Sequence, residues 1–142
     1  MSHFNILLVE DNEGDILLTR EAFEEAEIPV IINVVKNGEH AIQFLNKREK
    51  FIDVSTPDLI LLDINIPKMD GFEVLKYIKE HEHYRKIPVI MLTTSSSRED
   101  VMKSYKYHAN SFISKPMDMD EFWEVIESIE SFWLKTNRLP PN

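Results

Sequence analysis

The feature that most constrains the fold is a set of short apolar runs that each end in polar residues suited to chemistry. Leu59–Leu62 is followed directly by Asp63, and Ile6–Val9 is followed by the acidic pair Glu10 and Asp11. Runs of this length and composition are typical of buried strands in an α/β sheet. A carboxylate after such a strand lies at the edge where open α/β sheets place their binding sites.

Two later runs end in the same way. Val89–Leu92 is followed by Thr93 and Thr94, and Phe112–Ile113 leads through Ser114 to Lys115. If the strands are parallel, their carboxyl ends share one edge of the sheet, and the acids, hydroxyls and lysine converge there. Taken singly, each of these residues also fits a helix cap, a turn or a solvated surface side chain.

The segments between the runs carry apolar residues at helical spacing, as at Leu18, Ala22 and Ala26. Strands that alternate with helices predict an α/β fold, a doubly wound parallel sheet with helices on both faces. The predicted strands cover residues 5–9, 30–35, 59–62, 88–92 and 111–114. The predicted helices cover residues 15–27, about 41–48, 72–80, 97 to about 110, and about 119–134.

The composition of the chain excludes several kinds of site and partner. The 142 residues suit one domain, and the absence of cysteine excludes disulfides, thiolate metal sites and a cysteine nucleophile. The net charge of -9 argues against nucleic acid as a partner, because such binding relies on Lys and Arg. No apolar run is long enough to span a bilayer and none resembles a signal peptide, so no membrane partner and a cytoplasmic location are expected.

The carboxylates at adjoining strand ends predict a metal site. Glu10, Asp11 and Asp63 would repel one another unless a cation lies among them. An all-oxygen site suits Mg²⁺, and the backbone carbonyl near Asn65 would add a further oxygen. A carboxylate at such a site can attack phosphorus to form an aspartyl phosphate. Lys115 would then help to neutralise the phosphoryl oxygens.

In their order along the chain, these motifs resemble the receiver domains of response regulators in two-component signalling. The resemblance covers about residues 4–134, and it implies a flavodoxin-like strand order 2-1-3-4-5 with five helices. It also implies one receiver domain over 1–142, with 135–142 as a tail and no output domain. The motifs are Val9-Glu10-Asp11, Leu62-Asp63 with Pro67-Lys68-Met69-Asp70-Gly71, Pro88 to Thr93, and Ser114-Lys115-Pro116.

The resemblance assigns roles around the phosphorylation site. Asp63 would be the phosphoacceptor, and Lys115 would pair with the phosphoryl oxygens. Asp11 would be a direct Mg²⁺ ligand, Glu10 would act partly through water, and Asn65 would give its backbone carbonyl. Such a domain catalyses only its own phosphorylation and dephosphorylation, so it is not expected to be an enzyme on other substrates.

A second set of residues would read out the phosphoryl group. Thr93 would be the switch hydroxyl, and Thr94, larger than the usual residue there, would crowd the site or add a hydrogen bond. Phe112 stands at the switch-aromatic position, where many relatives have Tyr, so switching would rely on ring packing. The peptide bond before Pro116 would be cis.

The implied partners are a sensor histidine kinase of a phosphorelay and a downstream protein. A narrower resemblance is to single-domain regulators that work with bacterial phytochrome kinases. It rests on residues 12–15, on the long stretch 48–57 and on Phe132-Trp133-Leu134. The aromatic residues of the last two helices are expected to form a homodimer face; they are Tyr105, Tyr107, Trp123, Phe132 and Trp133.

Three alternatives stay open. An aspartyl-phosphate phosphatase would use the same nucleophile, but Asn65 stands where its general acid would be needed. A flavin-binding module would need a phosphate loop after the first strand, where residues 10–13 are mostly acidic. A pseudo-receiver scaffold would keep the fold without phosphorylation.

Overall fold

The computed structural model describes residues 3–140, and its centre is a five-stranded parallel sheet. The strand order is β2-β1-β3-β4-β5, which confirms the predicted doubly wound α/β fold. The strands are β1 Phe4–Val9, β2 Val30–Val35, β3 Leu59–Leu62, β4 Val89–Thr93 and β5 Ser111–Ser114.

Five α-helices connect and follow the strands, and each begins at a side chain that accepts a backbone N–H of its first turn. The helices are α1 Glu13–Glu24, α2 Gly38–Leu45, α3 Gly71–Glu80, α4 Arg98–Lys106 and α5 Met119–Ile129. Their capping residues are Asn12, Asn37, Asp70, Ser97 and Asp118. A 3₁₀ turn at Glu49–Phe51 lies in the stretch predicted as a loop before β3.

The sheet separates two hydrophobic cores, because successive strand residues point to opposite faces. Leu7 and Val9 of β1 pack with α2 and α3 on one face. Ile6 and Leu8 pack with α1 and α5 on the other. The four residues of β3 are fully buried, so the strand that leads to Asp63 is held from both sides.

Helices α1, α2 and α4 end earlier than predicted, and the ends of α2 and α4 are followed by left-handed residues that are not glycine. Lys47, with φ 54°, follows α2, and His108, with φ 70°, follows α4. A left-handed residue after the last turn lets backbone N–H groups satisfy the final carbonyls, as Ala109 does for Ser104. No glycine marked either position, so the sequence pattern placed both ends too late.

The end of the chain departs from a regular helix. After α5, residues Glu130–Thr136 form a π-helical segment. The wider turn places Leu134, five residues after the buried Ile129, in the second core. Trp133, one of the aromatic residues of the expected homodimer face, is half-buried against the second core. The predicted tail is therefore helical as far as Thr136, and its residues 141–142 lie outside the described part.

No helix within residues 3–140 is both long and apolar enough to cross a membrane.

Candidate functional site

Three carboxylates converge at the carboxyl ends of β1 and β3. One oxygen each from Glu10, Asp11 and Asp63 lies within 4.8 Å of the others. Glu10 and Asp63 are buried, with 2% and 6% of their surface exposed, and Asp11 opens to solvent. Within residues 3–140, no other group of three His, Asp or Glu side chains meets this spacing. The predicted acid trio is therefore assembled at one edge of the sheet.

Lys115 reaches these acids from the end of β5. Its Nζ donates to Asp63 Oδ2 at 3.2 Å and forms a short contact with Glu10 Oε1. Its third hydrogen bond goes to Asp15 Oδ2 at 3.0 Å, on the first turn of α1. The backbone N–H of Lys115 bonds to the Thr93 carbonyl at 2.7 Å, which fixes the start of the side chain beside β4.

The electrostatics of this cluster depend on burial and on the one lysine. Burial raises the pKa of Glu10 to about 7, although the hydrogen bond and charge of Lys115 act in the opposite direction. Burial also disfavours the charged form of Lys115, but its contacts with Glu10, Asp63 and Asp15 outweigh this and raise its pKa. Lys115 therefore stays a cation that partly compensates a surplus of negative charge.

The backbone holds Asp63 in a fixed place. Its N–H bonds to the Val9 carbonyl at 3.1 Å, and its Oδ1 accepts the N–H of Asn65 at 3.2 Å. The start of α3 lies directly behind it, since the Gly71 N–H bonds to the Ile64 carbonyl at 2.9 Å. Asp63 Oδ2 is thereby presented to Lys115.

The predicted readout residues lie on the β4 and β5 side of the site. Thr93 is completely buried, and its Oγ1 accepts the N–H of Ser95 at 3.3 Å. The side chain of Thr94 is exposed. Phe112 is half-buried against the first core, and its N–H donates to the Tyr105 hydroxyl of α4 at 3.2 Å. An aromatic hydroxyl thus lies beside the switch-aromatic position, although on another residue than the usual one.

The expected cis peptide before Pro116 is wrong. Every peptide bond within residues 3–140 is trans, including the one between Lys115 and Pro116. The trans form is the lower-energy isomer of an X–Pro bond by roughly 0.5–1 kcal/mol. Lys115 contacts Glu10, Asp15 and Asp63 without the cis form.

The donor set fits a hard divalent cation. All three side chains of the trio offer carboxylate oxygens, which Mg²⁺ and Mn²⁺ prefer over nitrogen or sulfur. The exposed Asp11 leaves a side open where water ligands fit. Asn65 follows Asp63 closely enough for its carbonyl to stay a predicted ligand.

Sequence reasoning missed one residue of the site. Asp15 was not predicted to belong to the site, yet its carboxylate contacts Lys115. The sequence contained a clue to this position. Asp15 follows Asp11 by four residues and lies in the first turn of the helix that follows β1. Its contact with a lysine 100 positions later depends on the tertiary fold.

A surface cleft of about 840 Å³ lies at the opposite edge of the sheet. It is lined by residues such as Phe4, Asn5 and Asp58 at the amino ends of β1 and β3, and it contains none of the three clustered acids. The chemistry of the strand ends, and not cavity size, identifies the site.

Comparison with known proteins agrees with this geometry. The family model described as "Response regulator receiver domain" matches residues 6–127. The chain belongs to this family. Response regulator Rcp1 of Synechocystis sp. is 39% identical over 135 residues, which cover 95% of this chain and 92% of that protein. The probable methanogenesis regulatory protein FilR2 of Methanothrix harundinacea is 40% identical over 137 residues, covering 96% and 88%.

Two solved receiver structures superpose closely on this one. The phosphorylated cyanobacterial phytochrome response regulator RcpA has a TM-score of 0.95 and 40% identity, over 99% of this chain and all of that chain. The Mn²⁺-bound form of Rcp1 has a TM-score of 0.93 and 38% identity, over 97% and 99%. This receiver has an acidic cluster that is consistent with a divalent metal site, and the Rcp1 structure holds Mn²⁺.

Proposed function

We propose that this receiver accepts a phosphoryl group on Asp63 from a sensor histidine kinase. The observation that carries the proposal is the arrangement around the Asp63 carboxylate. Oδ2 faces the Lys115 ammonium at 3.2 Å, and an oxygen of the same side chain lies within 4.8 Å of Glu10 and Asp11. A nucleophile, a cation and an oxygen-rich metal site are therefore within reach of one transferring group.

The proposed transfer is a displacement at phosphorus. An Asp63 carboxylate oxygen attacks the phosphorus of a phosphohistidine, and an O–P bond forms as the P–N bond breaks. The bonding electron pair goes to the imidazole nitrogen, which can take a proton from solvent. Lys115, held as a cation, neutralises charge on the phosphoryl oxygens. In the second half of the cycle, water attacks phosphorus as the bond between phosphorus and the Asp63 oxygen breaks. The electron pair of that bond restores the Asp63 carboxylate, and inorganic phosphate leaves after the water loses a proton to solvent.

We propose Mg²⁺ as the resident cation, held by Asp11, Asp63, the Asn65 carbonyl and, partly through water, Glu10. When bound, it supplies positive charge for the carboxylates and for the phosphoryl oxygens. The residues themselves orient the nucleophile, since Asp63 is fixed by backbone hydrogen bonds on both sides.

The response to phosphorylation is proposed to pass through Thr93 to α4. Thr93 is buried at the carboxyl end of β4, and its hydroxyl is the one side-chain hydrogen-bond donor of that strand. Helix α4 buries only Ser104, so few contacts hold it in one place. A shift of Thr93 toward Asp63 would act on the linked pair of Phe112 and Tyr105 and bias the packing of α4.

We propose that the chain works as a receiver domain in the cytoplasm. The similarity to Rcp1 and RcpA supports a phytochrome-like kinase as the donor, because RcpA is described as a phytochrome response regulator. The similarity to FilR2 is equally high, so the donor is best identified by testing kinases directly.

The signal is proposed to leave through a surface formed by α4, β5 and the end of α5. Large apolar side chains are exposed there, and they support either a downstream partner or a second copy of the chain. They include Met102, Tyr105 and Phe132, with 61%, 49% and 50% of their surface exposed. Light scattering should show a mass that rises with concentration or with a phosphoryl mimic. A constant monomer mass under both conditions would exclude the homodimer.

The function is tested by incubating the protein with Mg²⁺ and acetyl phosphate and measuring its intact mass. We expect one added phosphoryl group, which disappears when a chelator replaces Mg²⁺. Asp63→Asn should take up none, and the exposed surface variant Asp53→Asn should behave as the parent. Continuous release of phosphate from unrelated phosphoesters would instead favour a phosphatase. Absence of any adduct, together with no binding of fluoroberyllate, would favour a pseudo-receiver.

A further inference from the structure

Lys115 has a third carboxylate partner that does not belong to the acid trio. The side chain of Asp15, on the first turn of α1, contacts Lys115 Nζ at 3.0 Å. Within residues 3–140, the Asp15 carboxylate accepts a hydrogen bond from Lys115 alone. The backbone N–H of Asp15 donates separately to the Asn12 side chain at 2.9 Å. The carboxylate is thus free to act on Lys115 without a role in starting the helix.

The hydrogen bonds of the ammonium are already complete. A lysine ammonium has three N–H donors, and here they reach Glu10, Asp15 and Asp63. A phosphoryl oxygen on Asp63 can therefore receive a hydrogen bond from Lys115 only if one of these partners gives way.

Exposure indicates which partner gives way. The side chains of Glu10 and Asp63 are 3% and 8% exposed, whereas that of Asp15 is 27% exposed. A buried carboxylate that loses its cation pays a large desolvation cost, but an exposed one is resolvated by water. Asp15 is the partner whose separation from Lys115 costs least.

We propose that Asp15 is a positioning residue that holds the Lys115 ammonium toward α1 in the resting protein and competes with the phosphoryl group for it. This inference rests on the proposed function and adds a residue that sets how tightly the phosphoryl group is held. Competition from Asp15 would make the phosphoryl group bind less tightly than it would with Lys115 alone. It would also couple phosphorylation to the first turn of α1.

The proposal is tested with fluoroberyllate, a phosphoryl mimic that needs no transfer step. Its dissociation constant is measured by calorimetry at saturating Mg²⁺ for the parent and for Asp15→Asn, which keeps the shape of the side chain. Partly exposed ion pairs are worth up to about 1 kcal/mol, so we expect binding roughly two- to five-fold tighter in the variant. Asp15→Ala, a second variant, should change in the same direction. The Mg²⁺ dissociation constant should change less.

A matched control comes from the same helical turn. Glu13 is also an acid of this turn, but it pairs with Lys36 and is largely exposed. Glu13→Gln removes the same charge without touching Lys115, so its affinity for fluoroberyllate should stay near that of the parent. In a Lys115→Ala background, where the competition no longer exists, Asp15→Asn should have no effect.

The outcomes separate the two proposals. A parent protein that fails to bind fluoroberyllate contradicts the proposed function and this inference with it. If the parent binds but both Asp15 variants bind equally or more weakly, only the inference is wrong. Tighter binding by Glu13→Gln to the same degree, or an Asp15→Asn effect that persists without Lys115, would reveal a general charge effect and would also overturn it.

Discussion

A Cβ atom on Gly71 would lie 2.3 Å from the backbone carbonyl oxygen of Asp63. Real Cβ atoms do not approach oxygen so closely, so the start of α3 touches the backbone of Asp63 only because residue 71 lacks a side chain. The contact ties the position of Asp63 to the packing of α3, whose next residues enter the first core.

Gly71→Ala should destabilise the protein by about 1–3 kcal/mol, because backbone atoms on both sides must move apart. Gly14 provides the control, since a Cβ there would meet only the Asn12 side chain at 3.3 Å. Gly14→Ala, in the first turn of α1, should be neutral or stabilising by up to about 1 kcal/mol. Urea unfolding measures both. Equal stability of the two variants would show that the contact with Asp63 tolerates a methyl group.

Lys115→Met should destabilise the metal-free protein by roughly 3 kcal/mol, because Glu10 and Asp63 would be buried without their cation. Mg²⁺ should recover part of the loss if the trio binds it. The control is Lys36→Met, whose pair with Glu13 is mostly exposed and should be worth less than about 1 kcal/mol. Unfolding is measured in chelator and again with Mg²⁺. If the two variants are equally stable in chelator, Lys115 does not compensate the buried charge of Glu10 and Asp63.

Burial lowers the pKa of Lys79 to about 8, below its ordinary value of 10.5. Its Nζ contacts the carbonyls of Arg85 and Ile87 and the amide oxygen of Asn110. Between pH 8 and 10 the unfolded chain binds more protons at this residue, so its contribution to the unfolding free energy rises with pH. The slope is limited to about 1.4 kcal/mol per pH unit for one proton.

The stability of the parent relative to Lys79→Met should therefore increase from pH 7 to pH 10. Comparing the two proteins at each pH cancels the titration of the other groups. Denaturant unfolding at several pH values measures the difference. A difference that stays constant or falls with pH would show that Lys79 titrates near its ordinary value in the folded protein.

The π-helical segment after α5 determines which of its side chains are buried, and a regular helix would bury different ones. Leu134 is 9% exposed and Phe132 is 50% exposed. Leu134→Ala should cost about 2–4 kcal/mol, as for other buried leucines. Phe132→Ala should cost much less, and it should weaken self-association if the proposed surface forms a dimer. Thermal unfolding and light scattering measure the two effects. Similar costs for both variants would contradict the register of the segment.

The sheet was predictable from the sequence because its strands are continuous apolar runs, and three of the five strand ranges match the predicted limits. They are 30–35, 59–62 and 111–114. The helix ends were less predictable, since Lys47 and His108 adopt left-handed conformations that favour glycine or asparagine. The π-helical segment was also not predictable from the sequence. The five-residue spacing between the buried Ile129 and Leu134 depends on which side chain fits the core.

The site could be predicted in part for a related reason. Glu10, Asp11, Asp63 and Lys115 follow strands, and the topology alone brings strand ends together. Asp15 lies on a helix, and its distance from Lys115 depends on how α1 packs across the sheet edge. Tyr105 supplies its hydroxyl to the backbone of Phe112 from α4, a contact that no local pattern encodes.

The central claim is that Asp63 carries the phosphoryl group, and the position of the modification tests it most directly. The protein is treated with acetyl phosphate and Mg²⁺, then with borohydride, which reduces an aspartyl phosphate to homoserine, and its peptides are sequenced by mass spectrometry. We predict homoserine at position 63 and unchanged acids at Glu10, Asp11 and Asp15. A reduced residue at another position, or none at all in a folded and Mg²⁺-loaded protein, would contradict the account.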